Sequence, residues 1–433
     1  MKYILYDIIF HGFFVATLPY VIYKAITTGK YREGIGERFG HFKREKLARL
    51  AGKGPGVWIH AVSVGETKAV MPLLKAIRED RPGARILFST TTRTGQAVAQ
   101  SEGRACIDAL VYLPLDFSWA VKNIIKEFNP AIFIVVEKEV WPNLYKTLNE
   151  RSVPIVVVNG TISERSYRRF LKLRFFFAHI FSTINFYCAS TPFDMKRAIA
   201  LGVKKEQAMV TGNLKFDQKP TGGCDITKGL KKALSLGVDE ILFVAGSTHG
   251  GEEEIILASF KEALKERPGL RLAIAPRHPE RFAEVEGLIK KSGLSYKKRS
   301  SKGRASRGNK RPDVFLLDTM GELLCLYELA HISFVGGSLV PDIGGHNLLE
   351  PAGLGRPVLF GPYVHTAAAM AKLLIEAHGG LMVRDGRELS KKLKELSADS
   401  AVREAMGSAA RKVVEDNRGA LDKTLKIIKE FLS

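Results

Sequence analysis

The chain has 433 residues, 45% of them hydrophobic and 26% charged, more than one ordinary core holds and suited to two domains of about 200 residues each. Lysine and arginine number 66 against 45 acidic residues, a formal net charge of +21, which favours anionic partners: nucleic acid, acidic lipid headgroups or phosphorylated substrates. Cys106, Cys188, Cys224 and Cys325 are scattered with no paired spacing, which argues against a zinc site or a thioredoxin-like motif and fits a reducing compartment.

The first predicted element is an apolar run, Ile4 to Ile26, interrupted by Asp7, His11 and Lys24 and lacking a small-residue cleavage site. Its length matches a membrane span of about 20 residues. Lys24, Lys30, Arg32, Arg38, Lys43, Arg44, Lys46 and Arg49 follow, and basic flanks stay cytoplasmic, so the rest of the chain is expected on the cytoplasmic side of a membrane. Asp7 and His11 leave open a helix lying in the interface; a core helix is the competing reading.

Beyond the basic stretch, short Val/Ile-rich runs alternate with amphipathic patterns. Val57–Val62, 85–89, 110–113, 131–136, 155–158 and 186–189 read as strands. Between them, 66–79, 94–101, 118–128 and 142–151 read as helices. Residues 217–237 carry Pro220, Gly222, Gly223 and lysines and read as a linker. The pattern then restarts, with strands at 241–245, 270–275, 314–317, 331–335 and 358–360. Helices are predicted at 252–267, 279–292, 347–354 and 367–377, and 389–433 reads as mostly helical. Alternation of this kind implies parallel β-α-β units, and its restart implies two α/β Rossmann-like domains facing across a cleft. The expected boundaries are a membrane anchor at 1–28, a first domain at 29–216, the linker at 217–237 and a second domain at 238–433. Lys297–Arg311, rich in Lys, Arg, Ser and Gly, is expected to be a solvated loop.

Open α/β sheets bind ligands beyond the carboxyl ends of their strands, which directs attention to the loops there. Glu66 follows Ser63-Val64-Gly65 and opens a helix, where the helix dipole is expected to keep a carboxylate ionised; it acts either as a base or only as a complement to that dipole. Glu137 and Glu139 follow a strand and point to one side if that strand continues. Gly344-Gly345-His346-Asn347-Leu348-Leu349-Glu350-Pro351 combines close backbone approach with a helix start at Asn347, a way to hold a phosphate, or else an ordinary glycine turn. Arg277 with His278 follows a strand and suits a phosphate or carboxylate. Lys215 precedes the linker, and Met320-Gly321-Glu322 precedes an apolar helix. Residues 164–177 interleave arginines with aromatics, which suits an anionic amphiphile; a nucleic-acid face and a buried helix with snorkelling arginines are the rivals. There is no D-x-D pair, His/Cys cluster, Walker A loop, nucleophile elbow or opening G-x-G-x-x-G, so no metal is expected and hydrolase, kinase and dehydrogenase readings weaken.

Taken in order, these motifs resemble the bacterial transferases of 3-deoxy-D-manno-octulosonic acid (Kdo) in lipopolysaccharide synthesis. The resemblance runs through Gly36-Glu37-Arg38-Phe39-Gly40, Trp58 to Glu66, Thr91-Thr92-Arg93-Thr94-Gly95, Val136 to Asn143, Asn159 to Ser163 and Gly212 to Asp217. It continues in Ala275 to Arg281, Asp318 to Leu323, Phe334 to Leu339 and Gly344 to Glu350, nearly the whole chain. It implies a GT-B fold, with an acceptor-binding first domain and a second domain for CMP-Kdo, and an inverting transfer to a lipid A precursor without metal or other cofactor. By this resemblance Glu66 is the general base, and Glu137 and Lys215 stabilise the transition state. Pro276, Arg277, Met320, Gly321, Glu322, Asn347, Leu348, Leu349 and Glu350 are the CMP-Kdo-binding positions. It also implies an inner-membrane enzyme in contact with anionic lipids, with no nucleic-acid partner. Another GT-B nucleotide-sugar transferase or an epimerase is the alternative. A basic nucleic-acid-binding protein is a distant one, since it leaves the strand-end glutamates and the apolar N-terminus without purpose.

Overall fold

The structure is a computed structural model that describes residues 2–28, 32–52, 54–218, 224–301 and 311–432. The chain forms two compact units: Met1–Gln218 together with Arg418–Ser433, and Lys219–Asn417.

The first unit is built on a seven-stranded sheet of β1 (Gly56–His60), β2 (Arg85–Thr90), β3 (Ala109–Tyr112), β4 (Ile132–Val136), β5 (Ile155–Gly160), β6 (Phe186–Ala189) and β7 (Ala208–Val210). The order is β3-β2-β1-β4-β5-β6-β7, and every neighbouring pair is parallel. Strands buried on both faces need apolar residues at every position, which is why Ile132–Val136 and Ile155–Val158 read as unbroken runs. Trp58 is fully buried in β1, edge-on to Phe133 at 4.8 Å, with its indole N–H donating to Ser89 Oγ at 2.8 Å; burying a side chain of this size stabilises the fold by about 2–3 kcal/mol. The chain order reverses between β1 and β4, so ligand-binding loops are expected above the carboxyl ends of those two strands.

The second unit repeats the plan with β8 (Ile241–Thr248), β9 (Leu270–Pro276), β10 (Tyr296–Lys298), β11 (Val314–Leu316), β12 (Ile332–Val335), β13 (Val358–Phe360) and β14 (Gly380–Met382). Its order is β10-β11-β9-β8-β12-β13-β14, again all parallel, with the reversal between β8 and β12.

Three expectations need correction. The second domain does not run to residue 433, because the helix Ala420–Leu432 belongs to the first unit. Its Ala420, Ile427, Ile428 and Leu432 share a core cluster with Val70, Leu73, Leu74 and Ile77 of the helix Val64–Asp80. The Asp217 carboxylate caps that C-terminal helix by accepting from the N–H groups of Gly419 (2.7 Å) and Leu421 (2.8 Å). The linker expected at 217–237 is mostly helix: Cys224–Leu234 buries Leu230 and bonds to the helix Leu323–Leu329 through Thr227 and Glu328 at 2.7 Å, while residues 219–223 of it lie outside the described residues. The solvated loop expected at 297–311 begins inside β10, which Glu286 secures by accepting from Tyr296 Oη (2.7 Å) and Lys298 Nζ (2.9 Å); residues 302–310 lie outside the described residues. Strands of three residues, such as β7, β10 and β14, are too short to show a period of two.

Candidate active site

At the carboxyl end of β1 the chain turns into the helix Val64–Asp80. Ser63 is its N-cap: the Ser63 hydroxyl accepts from the Glu66 N–H at 3.4 Å and donates to Glu66 Oε1 at 3.3 Å. Glu66 Oε2 accepts from the Val62 N–H at 2.6 Å, a variant of the reciprocal capping box. Only 8% of Glu66 is exposed. Its carboxyl is pushed up to about 7, first by burial and then by the negative charge of Glu137 and Glu139, against the opposing bonds from Val62 and Ser63. The dipole expected to hold it ionised is worth about 0.3–1 kcal/mol. Desolvation and like charges outweigh that.

β4 ends at Val136, and Glu137 turns the chain with φ of 64°. A non-glycine residue in the left-handed region costs about 1–3 kcal/mol and is typical of functional sites. The strand does not continue, so the alternation expected to align Glu137 with Glu139 does not operate. Glu137 Oε1 instead receives Lys215 Nζ at 3.2 Å. Lys215 is held there from below: Asn213 Oδ1 accepts from its N–H at 3.0 Å, and Asn159 Oδ1 accepts from the N–H of the buried Leu214 at 3.0 Å. Burial raises the Glu139 carboxyl as well. The first unit therefore gathers Glu66, Glu137 and Lys215 at its switch point, with Asn159, which the sequence motifs include but give no role, holding the turn that carries Lys215.

In the second unit the corresponding place is filled by the protein's own carboxylate. Glu252 is fully buried; Oε2 accepts from the N–H groups of Gly337 (2.6 Å) and His249 (3.0 Å), and Oε1 from those of Ser338 and Leu339 (both 2.8 Å). This staple joins the loops after β8 and β12. Gly337 has φ of 70°, and a Cβ on Gly336 would lie 2.5 Å from the Ser247 carbonyl oxygen, so only glycine fits this turn. The next carboxylate, Glu253, is buried too and is paired with Arg281 at 2.6 Å and Thr248 at 3.0 Å. Sequence reading missed both glutamates, because an acidic first helical turn looks like ordinary dipole complementation.

His249 and His346 meet Nε2 to Nε2 at 2.7 Å with stacked rings, and His278 lies edge-on to His249 at 5.3 Å. Burial, then neighbouring positive charge, holds both His249 and His346 down at about 4; the pair is neutral at pH 7, one ring donating and the other accepting. It fastens the Gly344–Glu350 segment to the end of β8. Arg277 follows β9 and makes no side-chain hydrogen bond or ion pair among the described residues, which leaves a guanidinium available to an anion beside two neutral imidazoles.

Comparison with known proteins settles the family. Residues 33–218 match the family model described as 3-deoxy-D-manno-octulosonic-acid transferase (kdotransferase). The 3-deoxy-D-manno-octulosonic acid transferase of Haemophilus influenzae is 35% identical over 414 residues, 94% of this chain and 93% of the relative. The chain belongs to the Kdo transferase family. The Chlamydophila psittaci transferase of the same name is 30% identical over 428 residues, 99% of this chain and 96% of the relative. Among solved structures, a glycosyltransferase from Rickettsia africae matches with a TM-score of 0.59 at 13% identity, covering 88% of this chain and 99% of that one. The S. aureus MnaA–UDP structure matches with a TM-score of 0.56 at 15% identity, covering 87% and 97%. Likeness at that identity shows the fold, two Rossmann-like units of GT-B type.

The remaining Kdo transferase motifs are placed unevenly. Pro276 is the buried end of β9, next to Arg277. Asn347 Oδ1 accepts from the Leu349 N–H at 3.2 Å and its Nδ2 donates to Glu350 Oε1 at 3.3 Å, while Leu348 and Leu349 are buried. The helix they open, Leu349–Gly353, is only five residues long. Met320 is 55% exposed beside Gly321 at φ of 84°, an open corner. Glu322 is engaged by Arg299 at 2.7 Å and Thr319 at 3.1 Å, so its carboxylate serves the β10–β11 side of the sheet. Among the described residues no group of three or more His, Cys, Asp or Glu side chains gathers as a metal site.

Proposed function

We propose that this Kdo transferase moves Kdo from CMP-Kdo to a hydroxyl of a lipid A precursor, lipid IV-A, in an inverting, metal-independent step with Glu66 as general base. The observation that carries the reading is the Glu66 carboxyl at the β1 switch point, held near pH 7 beside the Glu137–Lys215 pair. A base is most effective when its pKa lies near the working pH. Ionised Glu66 takes the proton of the acceptor hydroxyl as that oxygen bonds to the anomeric carbon of Kdo. The bond from that carbon to the phosphate oxygen breaks, and its electron pair leaves with CMP. Lys215 offsets the negative charge of Glu137, so the reacting centre carries one cation against the carboxylates that tune Glu66.

On the donor side, Arg277 and the Asn347–Glu350 segment, steadied by the His249–His346 pair, are the groups we assign to CMP-Kdo, with Pro276 and the Met320-Gly321-Glu322 corner. The single phosphate of CMP and the Kdo carboxylate both suit a guanidinium without a partner among the described residues. The helix Lys2–Thr28 is apolar and long enough to cross a membrane, and with the basic balance of the chain it supports attachment to the cytoplasmic side of the inner membrane, among anionic lipids.

The test is product mass. Purified full-length enzyme with CMP-Kdo and tetraacylated lipid A precursor is expected to yield the precursor plus Kdo. No added Kdo mass, or equal use of a UDP-sugar, overturns the assignment.

A further inference from the structure

The N-terminal helix Lys2–Thr28 lies against the first unit from Tyr3 to Phe14, and the chain meets that unit again just past the helix end. Near its start, Tyr6 Oη donates to the buried Asp116 carboxylate at 2.9 Å, and Asp7 accepts from Ser118 Oγ and Asn143 Nδ2, both at 2.6 Å. Phe10 and Phe14 then pack on Phe117 at 5.1 and 5.2 Å. Just past its end, Arg32 caps the carbonyls of Ala25 (2.6 Å) and Ile26 (3.1 Å), and Glu33 accepts from Tyr112 Oη at 3.1 Å. Asp7 and Thr28 lie about 30 Å apart along the helix axis, close to the whole thickness of a bilayer's hydrocarbon core. A helix crossing the bilayer would put these ends on opposite sides. The partners of Asp7, Ser118 and Asn143, and the partner of Glu33 five residues past Thr28, Tyr112, are parts of a single α/β unit whose polar loops have no place in hydrocarbon.

The rest of the helix surface fits a different placement. The less exposed positions, Tyr3, Tyr6, Asp7, Phe10, Phe14, Thr17, Leu18, Val21, Lys24 and Ala25, recur at helical spacing and form one stripe. The opposite side is open: Ile4, Ile8, Phe13, Val15, Tyr23 and Ile26 are each 60–68% exposed. Tyr3 and Tyr6 also touch Phe176, at 6.2 and 5.7 Å, which joins this face to the basic-aromatic segment. There Leu171, Leu173 and Phe175 are exposed among the exposed Arg165, Arg169, Lys172 and Arg174.

We infer that the N-terminal helix lies in the plane of one leaflet and does not span the bilayer. Together with the Leu171–Phe175 patch it seats the first unit on a bilayer surface rich in anionic phospholipid headgroups. Apolar side chains enter the acyl boundary and the arginines and lysines meet the headgroups. The polar Asp7, costly in a spanning helix, is here already satisfied by protein.

Topology is read by labelling full-length protein in inside-out membrane vesicles, in a Cys224→Ser background where Cys106, Cys188 and Cys325 are buried. Lys2→Cys is expected to react with a membrane-impermeant maleimide as fully as Lys423→Cys, with or without detergent. Reaction of Lys2→Cys only after detergent shows a spanning helix and overturns the inference. Flotation of the purified full chain is expected on equimolar phosphatidylethanolamine–phosphatidylglycerol vesicles, about 100-fold weaker on phosphatidylcholine, and similarly weakened by joint Arg165→Glu, Arg169→Glu and Lys172→Glu substitution. Equal flotation on both vesicles, or none on either, overturns the anionic surface as partner. Neither readout uses catalysis, so failure of Kdo transfer would leave this inference standing, and the converse holds.

Discussion

The two units share a sheet plan, and each places a glutamate in the first turn of the helix that follows its first central strand, yet the two carboxylates are bonded differently. Glu252 receives four backbone N–H groups and disappears into the fold, where it holds the glycine turn after β12. Glu66 receives one backbone N–H, from Val62, and faces the charges of Glu137 and Glu139, which leaves it titrating near neutrality. Burial alone therefore does not decide whether a carboxylate is tied into the backbone. The number of donors aimed at it decides. The same contrast separates the cations: Arg281 is paired with Glu253 and Glu284, whereas Arg277 has no such partner among the described residues.

The contrast is most exposed to test at Glu66. Glu66→Gln is expected to lower the transfer rate by about 10²–10⁴-fold, the usual worth of a general base, with CMP-Kdo binding by calorimetry unchanged; wild-type turnover would remove the residue from its role. Next comes Lys215→Met, expected to lower kcat by roughly 10–10³-fold, as loss of one preorganised charge in a water-poor site does, with a smaller change in KM for either substrate. Glu252→Gln sets an amide against backbone donors and is expected to cost about 1–3 kcal/mol of stability in the second unit. It should raise KM for CMP-Kdo more than it lowers kcat, and calorimetric melting with donor titration separates the two effects.

A pH profile probes the same difference. The base must be ionised, so kcat/KM is expected to rise with pH through about 7 and to flatten in Glu66→Gln. Glu137→Gln removes a charge that raises Glu66, so the midpoint should move to lower pH. The smallest effect is on stability. A carboxyl whose folded pKa lies above its unfolded value binds its proton more tightly when folded. Stability is therefore lost as pH rises from about 4.5 to about 7. Glu66→Gln escapes that loss and is expected to be about 1–3 kcal/mol more stable than the parent at pH 8, measured as denaturant midpoints at pH 5 and pH 8.

Much of the frame was legible in the residues. Unbroken Val/Ile runs marked the central strands of the first sheet to within a residue or two, because a strand covered on both faces has no polar side to blur it, whereas β8 runs three residues past its expected end into Gly246-Ser247-Thr248. Glu66, Glu137 and Arg277 were reachable from the loops at the carboxyl ends of the strands, whereas Lys215 was marked only by its place before the linker and by the family resemblance, since β7 ahead of it carries too few positions to be read. Three-residue edge strands were not, since they carry too few positions for a pattern. Glu252 and the His249–His346 contact were hidden for another reason: their partners lie 85 to 97 residues away, in segments joined only by the sheet.

Two parallel α/β halves, an apolar amphiphilic start and a strand-end set of charged residues could be read from the chain alone, because periodicity and loop chemistry are local properties. Folding in three dimensions settled the rest: which unit the last helix covers, that the Glu66 carboxyl is pushed up to about 7, and that the first helix lies against the protein from Tyr3 to Phe14. Each depends on how many donors, apolar faces or polar partners arrive from distant residues, and pairing in space is not written at any one position.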